Sequence, residues 1–166
     1  DVVWVPTPQE LVDTMLTIAK VTPSDFVIDL GSGDGRTVIS AAKRGARAMG
    51  IEYNPDMVAL SKRNAEHEGV SSKTEFIEAD LYECDLSKAT VITMFLLPEI
   101  NLKLRPRLLE LKPGTRIVSN TFTMGEWEAD REVMKDDNWN ICNTAILWIV
   151  PDKVSGIWKM VQDELV

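Results

Sequence analysis

The sequence is poor in the residues that support most metal, redox and disulfide chemistry. It holds two cysteines and one histidine among 166 residues. Cys84 and Cys142 lie far apart with no Cys-x-x-Cys pair, so the sequence indicates neither a bound metal nor a disulfide framework. Two ordinary thiols favour a reducing compartment, and we expect a cytoplasmic protein. The chain begins at Asp1 rather than Met, which leaves an upstream signal or anchor segment open.

Basic residues are scarce relative to acidic ones. The chain carries 18 lysines and arginines against 26 aspartates and glutamates, for a formal net charge of −8. Nucleic-acid binding needs a basic surface that neutralises phosphates, so we expect no nucleic-acid partner. An acidic surface suits a cationic protein segment or a small molecule, and solubility alone explains it equally well.

Long hydrophobic runs, internal repeats and low-complexity tracts are also missing, so we expect no membrane span and one domain. We predict that this domain occupies residues 1–150 and that the protein is a monomer. Residues 151–166 form a predicted extension, in which a linker-like segment precedes a strand-like one at 157–161. This extension either begins a further module or docks on the sheet.

The segment around which the chain is organised runs from Val27 to Arg36. Val27-Ile28-Asp29-Leu30 has the apolar, β-branched character of a buried strand. Glycines then stand at every second position, 31, 33 and 35, where they permit backbone conformations closed to other residues and bare the main chain to a ligand. A helical pattern follows. Strand, glycine loop and helix form the nucleotide-binding arrangement of open α/β sheets, and a merely structural turn is the alternative.

The rest of the chain alternates strand-like and helix-like segments. The predicted strands cover 26–30, 46–52, 73–78, 90–95 and 115–122, with a terminal hairpin of 131–135 and 143–150 joined by a turn at 136–140. Such alternation predicts parallel strands with helices on both faces. The fold class is therefore α/β, a Rossmann-like doubly wound sheet of seven mostly parallel strands with an antiparallel terminal hairpin.

Two helix boundaries carry specific predictions. Thr7-Pro8-Gln9-Glu10 predicts a helix start with Thr7 as N-cap, Pro8 at the first position and Glu10 closing a capping box. Pro106 interrupts the helical pattern of residues 96–111, which predicts a helix start or a kink there.

Carboxylates follow two further predicted strands. Glu52 ends the second strand, 21 residues after Gly31, where dinucleotide-binding folds hold ribose hydroxyls. Asp80 follows the third strand. Because the carboxyl ends of parallel strands share one edge of a sheet, we expect both acids beside the glycine loop. A surface acid for Glu52, and a turn or cap for Asp80, are the alternatives.

The Gly-x-Gly-x-Gly spacing with Asp29 two residues upstream resembles motif I of the class I S-adenosylmethionine-dependent methyltransferases. Val5 to Pro8 and Ala89 to Leu97 are similar to the small prokaryotic protein-lysine methyltransferases, relatives of the mitochondrial inner-membrane lysine methyltransferases. The similarity extends to about residue 150. It implies S-adenosylmethionine as cofactor and a protein lysine as acceptor.

The resemblance also implies residue roles, which we take as expectations. Near the cofactor it places the lid residues Pro6 and Thr7; the loop residues Asp29, Gly31, Ser32, Gly33, Asp34 and Gly35; Glu52, Tyr53 and Asn54 at the ribose; and Asp80 and Leu81 at adenine. Near the transferred methyl group and the lysine it places Leu97, Pro98 and Asn120, the expected catalytic residues.

Other absences narrow the reaction. The segment after the fourth strand reads Thr93-Met94-Phe95-Leu96-Leu97-Pro98. It lacks the Asn/Asp-Pro-Pro clamp of adenine and glutamine methyltransferases and the carboxylate of metal-dependent catechol-type enzymes. Methyl transfer from a sulfonium requires positioning and no acid–base triad. Protein-lysine methylation without metal is the favoured function, and another N-methyltransferase or a non-catalytic binding module are the alternatives.

Overall fold

A computed structural model describes residues 4–135 and 141–153 of the chain. The described helices are α1 (Gln9–Ile18), α2 (Arg36–Lys43), α3 (Pro55–His67) and α4 (Pro98–Leu109), with a short 3-10 turn at Ser71–Lys73. The described strands are β1 (Phe26–Leu30), β2 (Arg47–Glu52), β3 (Thr74–Glu78), β4 (Val91–Met94), β5 (Arg116–Asn120), β6 (Arg131–Met134) and β7 (Thr144–Ile149). The predicted strands 131–135 and 143–150 match β6 and β7, while the turn at 136–140 lies outside the described residues.

The strands form one sheet in the order β3-β2-β1-β4-β5-β7-β6. Strands β1 to β5 are parallel, whereas β7 is antiparallel to both β5 and β6. The predicted fold class is therefore confirmed. Leu30 lies beside Ile51 and Met94, and Met94 lies beside Ser119. This register brings the carboxyl ends of β1, β2, β4 and β5 to one edge of the sheet.

Alternate residues of the central strands enter two separate cores. Val27 and Val91 contribute to the core under α1, α2 and α3, whereas Ile28 and Ile92 belong to the core on the other face, which includes Leu104 of α4. Because both faces are covered, these strands are almost continuously apolar in sequence. The sheet is thus fixed on both sides, which makes its carboxyl edge a rigid base for a site.

The start of α1 differs from the prediction. Pro8 is the N-cap residue and makes no side-chain capping hydrogen bond, so the prediction of Thr7 as N-cap was wrong. The Thr7 hydroxyl instead accepts a hydrogen bond from Nδ2 of Asn120, at 3.2 Å. A tertiary contact has therefore replaced a local one.

Pro106 lies inside α4, and the helix begins at Pro98. Pro106 removes the hydrogen bond to the carbonyl one turn earlier, yet α4 continues to Leu109. The predicted strand at 157–161 lies outside the described residues, and the domain limits of 1–150 and 151–166 stay a prediction. Within the described part of the chain, no helix has both the length and the apolar character to cross a bilayer.

Candidate functional site

The glycine loop between β1 and α2 has the predicted open backbone. Gly31, Gly33 and Gly35 have φ values of +74°, +53° and +84°, all in the left-handed region that residues with a Cβ rarely adopt. The amides of Gly31 and Ser32 both donate to the carbonyl of Ile51, at 2.9 and 3.0 Å. These bonds fasten the loop to the end of β2. The glycines themselves place no side chain over the loop backbone.

Glu52 holds the glycine loop as well as ending β2. One carboxylate oxygen accepts from the amide of Gly33 at 2.9 Å, and the other accepts from the amide of Asn54 at 3.0 Å. Asn54 in turn caps α3 by accepting from the amide of Asp56, and Tyr53 is 79% exposed. Each Glu52 oxygen keeps a second lone pair, so binding of ribose hydroxyls is compatible with these contacts and stays a prediction.

The loop after β3 is held by a residue that the sequence did not indicate. Arg107 of α4 donates to the carbonyl of Leu81 at 2.8 Å and also to the carbonyl of Cys84. Asp80 is exposed at this loop, and its carboxylate accepts from the amide of Tyr82 at 2.8 Å. Asp80 is therefore both a turn acid and available to a ligand. The sequence did not predict this role of Arg107, because binding of a guanidinium to backbone carbonyls has no sequence motif.

Asp29 is a buried carboxylate without a counter-ion. It is 7% exposed, and its Oδ1 accepts from the Thr93 hydroxyl at 2.6 Å. Desolvation raises the pKa of Asp29 to about 7, opposed by the Thr93 hydrogen bond and reinforced by the charges of Glu52 and Asp34. Among the described residues, no cationic side chain forms an ion pair with it. A bound cation would relieve this cost of burial.

A second polar group, the hydroxyl of Ser32 in the loop, has no hydrogen-bond partner in the described part of the chain. The Ser32 hydroxyl is buried and makes no hydrogen bond there. A Cβ at Gly50 would lie 2.5 Å from it, so only glycine fits beside it on β2. Bare loop backbone, the buried Asp29 carboxylate and an orphaned hydroxyl together fit a polar, cationic ligand such as S-adenosylmethionine.

The segment Trp4–Pro8 crosses the carboxyl edge of the sheet. The carbonyl of Thr7 accepts from Arg36 at 3.0 Å, and Arg36 is also paired with Asp34 at 2.7 Å. The indole nitrogen of Trp4 lies 2.1 Å from where a Cβ at Gly33 would be. The expected lid therefore contacts the glycine loop, with Trp4 rather than Pro6 as its nearest side chain.

The ends of β4 and β5 form the other half of this edge. Asn120 is fully buried; its Nδ2 donates to Thr7, and its Oδ1 accepts from the hydroxyl of Thr121 at 2.8 Å. Leu97 is 43% exposed, and Pro98 begins α4 beside it. Leu97 and Pro98 are therefore exposed at this edge, whereas both polar atoms of the Asn120 side chain are already bound to Thr7 and Thr121.

A cavity of about 530 Å³ lies behind the loop, where α1, α2 and α3 meet, and away from the strand ends. Its cations are already engaged, because Arg36 pairs with Asp34, Lys43 pairs with Glu68 at 2.6 Å, and Arg44 donates to Thr17. We therefore place the site at the carboxyl edge of the sheet instead of in this cavity.

Comparisons with known proteins agree with this geometry. The family model of the ANTKMT methyltransferase domain matches residues 29–131. A protein-lysine N-methyltransferase of Saccharolobus islandicus is 43% identical over 150 residues, which cover 89% of this chain and 92% of that protein. The adenine nucleotide translocase lysine N-methyltransferase of Mus musculus is 36% identical over 119 residues, covering 70% of this chain and only 52% of the relative.

A solved structure covers almost the whole chain. The crystal structure of an RNA methyltransferase from Salinibacter ruber, in complex with S-adenosyl-L-homocysteine, has a TM-score of 0.85 and 46% identity. It covers 94% of this chain and 100% of the other. The named acceptors of the similar proteins thus differ, although methyl transfer is common to all of them.

Proposed function

The chain belongs to the ANTKMT methyltransferase domain family, and from this premise we propose that it methylates lysine side chains of proteins, with S-adenosylmethionine as methyl donor. The observation that carries the proposal is the division of the carboxyl edge. Polar, ligand-ready groups follow β1, β2 and β3, whereas the segment after β4 is apolar. A charged cofactor and a desolvated amine need these two surroundings side by side.

The part of the carboxyl edge at the ends of β1, β2 and β3, which we call the cofactor half, binds and orients S-adenosylmethionine. The glycine loop has no side chain at positions 31, 33 and 35, so a ligand can approach its backbone closely, although most of its amides are already hydrogen-bonded within the protein. Glu52 fixes the loop and retains lone pairs for two hydroxyls, and Asp80 stands exposed for an amino group. Asp29 offers a buried negative charge to a cation. Bound here, S-adenosylmethionine supplies a methyl carbon on a positively charged sulfur, and transfer leaves a neutral thioether.

The part of the edge at the ends of β4 and β5, which we call the acceptor half, provides an apolar surface. Residues 93–98 and 117–125 contain no charged side chain. Removal from water lowers the pKa of a lysine amine and so favours the neutral, nucleophilic form. The proton goes to solvent, and alignment of the nitrogen with the methyl carbon is the main task of the protein. In this proposal Leu97 and Pro98 border the amine, and Asn120 reaches it once the Thr7 segment has moved.

The test is labelling of a cell extract with tritiated S-adenosylmethionine, followed by tandem mass spectrometry of the labelled material. The control is Gly33→Ala, which places a Cβ against Trp4 at a positive φ and should abolish labelling. Label on protein lysines supports the proposal. Label confined to RNA, to carboxylates or to small molecules, or binding without transfer, contradicts it.

RNA is the second candidate acceptor, because the Salinibacter structure is described as an RNA methyltransferase. The net charge of −8 opposes it, since an RNA-binding surface must neutralise phosphates. Treatment of the labelled extract with ribonuclease or protease before separation distinguishes the two acceptors directly.

Compartment, oligomeric state and domain limits remain proposals from the sequence. We propose that a single copy acts in the cytoplasm, and the two widely separated cysteines support the compartment. We also retain 1–150 as the catalytic domain and 151–166 as an extension.

A further inference from the structure

Two phenylalanines stack at the carboxyl edge, where β4 and β5 end. The ring centroids of Phe95 and Phe122 are 5.9 Å apart, and the ring planes differ by 13°. Both residues are half-buried, so part of the pair faces the exterior. Strand register explains the contact: Met94 lies beside Ser119, and both strands continue past the sheet in the same direction.

The backbone that carries Phe122 is strained. Thr121 has a φ of +63°, a conformation that is unfavourable for a β-branched residue and persists only where surrounding contacts enforce it. The Thr121 amide donates to the carbonyl of Thr144 at 2.7 Å, and the Phe122 amide donates to the carbonyl of Asn120 at 2.7 Å. The turn is therefore held firmly in an unfavourable conformation.

Side chains fasten the same turn from two other directions. The hydroxyl of Ser119 donates to the carbonyl of Phe122 at 2.7 Å. Asn101 of α4, fully buried, donates to the carbonyls of Phe122 and Thr123 at 3.3 and 3.1 Å. Strain maintained by this many contacts indicates a position where the exact placement of one side chain, here the Phe122 ring, is useful.

The pair lies next to the cofactor half without being part of it. In the sheet order, β4 adjoins β1, and β5 lies one strand further from β2 and β3. A Cβ at Gly31 would lie 3.1 Å from the Leu96 side chain, which places the segment after β4 against the glycine loop. A ligand on the loop would therefore lie beside the segment that carries Phe95.

We propose that the Phe95–Phe122 pair is the wall of the acceptor slot that selects a lysine side chain, and that Thr121 is a positioning residue for this wall. The inference rests on the proposed lysine activity. Ring faces pack against the methylene stem of lysine and attract its cationic end during entry. The same apolar surface then disfavours the charged form at the point of transfer. A shorter or anionic side chain gains neither contact.

The test compares wild type with Phe122→Leu and Phe95→Leu on a pentapeptide library that has lysine at its centre. Each substitution should raise the KM for this library about tenfold and leave the Kd for S-adenosylhomocysteine within about twofold of wild type. The matched control is Phe26→Leu, a half-buried phenylalanine at the opposite end of β1, which should change neither constant.

Thr121 is tested by two replacements that tolerate a positive φ. Thr121→Gly relieves the strain but removes the hydroxyl that bonds Asn120 and Thr144, so the Tm should change little while the KM for the lysine library rises several-fold. Thr121→Asn adopts the left-handed conformation while restricting the backbone, and should restore a KM near that of wild type. A residue with only a structural role would show the reverse, with Tm falling and KM unchanged.

The outcomes separate this inference from the proposed function. If wild type labels the lysine library and both phenylalanine variants keep its KM, the acceptor wall is refuted and the lysine activity stands. If wild type labels RNA and leaves the lysine library unlabelled, both are refuted. If Phe122→Leu does not fold, Phe95→Leu and Thr121→Gly decide the matter.

Discussion

Asp29→Asn should stabilise the ligand-free protein at pH 8 and weaken its binding of S-adenosylhomocysteine at the same pH. Asparagine has the size of aspartate and can still accept the Thr93 hydrogen bond through its carbonyl oxygen, so the main change is the loss of a buried charge. Structural and ligand-binding roles therefore predict opposite signs for the two measurements, which makes the variant informative.

The stability change follows from the pKa of Asp29. The folded protein holds the proton up to pH about 7, whereas the unfolded chain releases it near the ordinary value of 3.8. Between these values the unfolded state binds fewer protons, so stability falls as pH rises and stays lower above pH 7. A difference of about three pH units corresponds to ~4 kcal/mol, which the substitution should recover in large part at pH 8 and not at pH 4.

The binding change follows from the same ionisation. The ionised fraction of Asp29 rises from about one tenth at pH 6 to about nine tenths at pH 8. If a cationic group of the ligand requires the carboxylate, wild-type affinity for S-adenosylhomocysteine should rise about tenfold over this range. Asp29→Asn should bind more weakly at pH 8 and show no such rise.

Calorimetric titration at pH 6, 7 and 8, together with thermal unfolding of the ligand-free protein at pH 4 and 8, measures both effects. Asp152→Asn, an exposed aspartate beyond β7, is the control and should leave both measurements unchanged. A wild-type affinity independent of pH, or a loss of stability in Asp29→Asn at pH 8, would refute the reasoning.

Three further predictions concern contacts in the same region. Glu52→Ala should raise the calorimetric Kd for S-adenosylhomocysteine at least tenfold, because bonds to a charged group contribute roughly 1.5–3 kcal/mol each, whereas Glu75→Ala on β3 should not. Methylation should survive EDTA, since no His, Cys, Asp or Glu cluster in residues 4–135 and 141–153 could hold a metal; loss restored by Mg²⁺ would contradict this. Arg36→Met should speed proteolysis before α1 by releasing the Thr7 carbonyl, with exposed Arg63→Met as control and equal cleavage as the contrary result.

The position of Glu52 beside the glycine loop was predictable because its signals are local. A short apolar run, glycines at alternate positions and an acid at the end of the next strand each lie within a few residues of one another. Parallel pairing then brings Gly31 and Glu52 together without further information, and the structure shows Glu52 bound to the loop itself. Thr93 and Arg107 act across 64 and 26 residues of sequence, and neither contact has a local signature.

The strained turn at Thr121 could not be predicted for a different reason. Threonine at a strand end predicts continued extended structure, and residues 115–122 were accordingly predicted as one strand. The strand β5 ends at Asn120 because buried contacts from Ser119, Asn101 and Thr144 favour the left-handed conformation over the local preference. The intrinsic preference of a residue for extended structure is a weak guide where several tertiary hydrogen bonds hold the same turn.

Thr7 and Asn120 show how two separate predictions can meet in one contact. The sequence suggested a helix cap for Thr7 and an acceptor contact for Asn120, yet the two side chains bind each other, and the Thr7 carbonyl binds Arg36 of α2. Thr7 therefore joins the cofactor half to the acceptor half. Under the proposed function, an amine that reaches the Asn120 carbonyl oxygen requires the Thr7 hydroxyl to leave the Asn120 Nδ2, and the Arg36 bond then limits how far the segment can move away. Under that proposal, entry of the acceptor and order in the Trp4–Pro8 segment are coupled through Thr7.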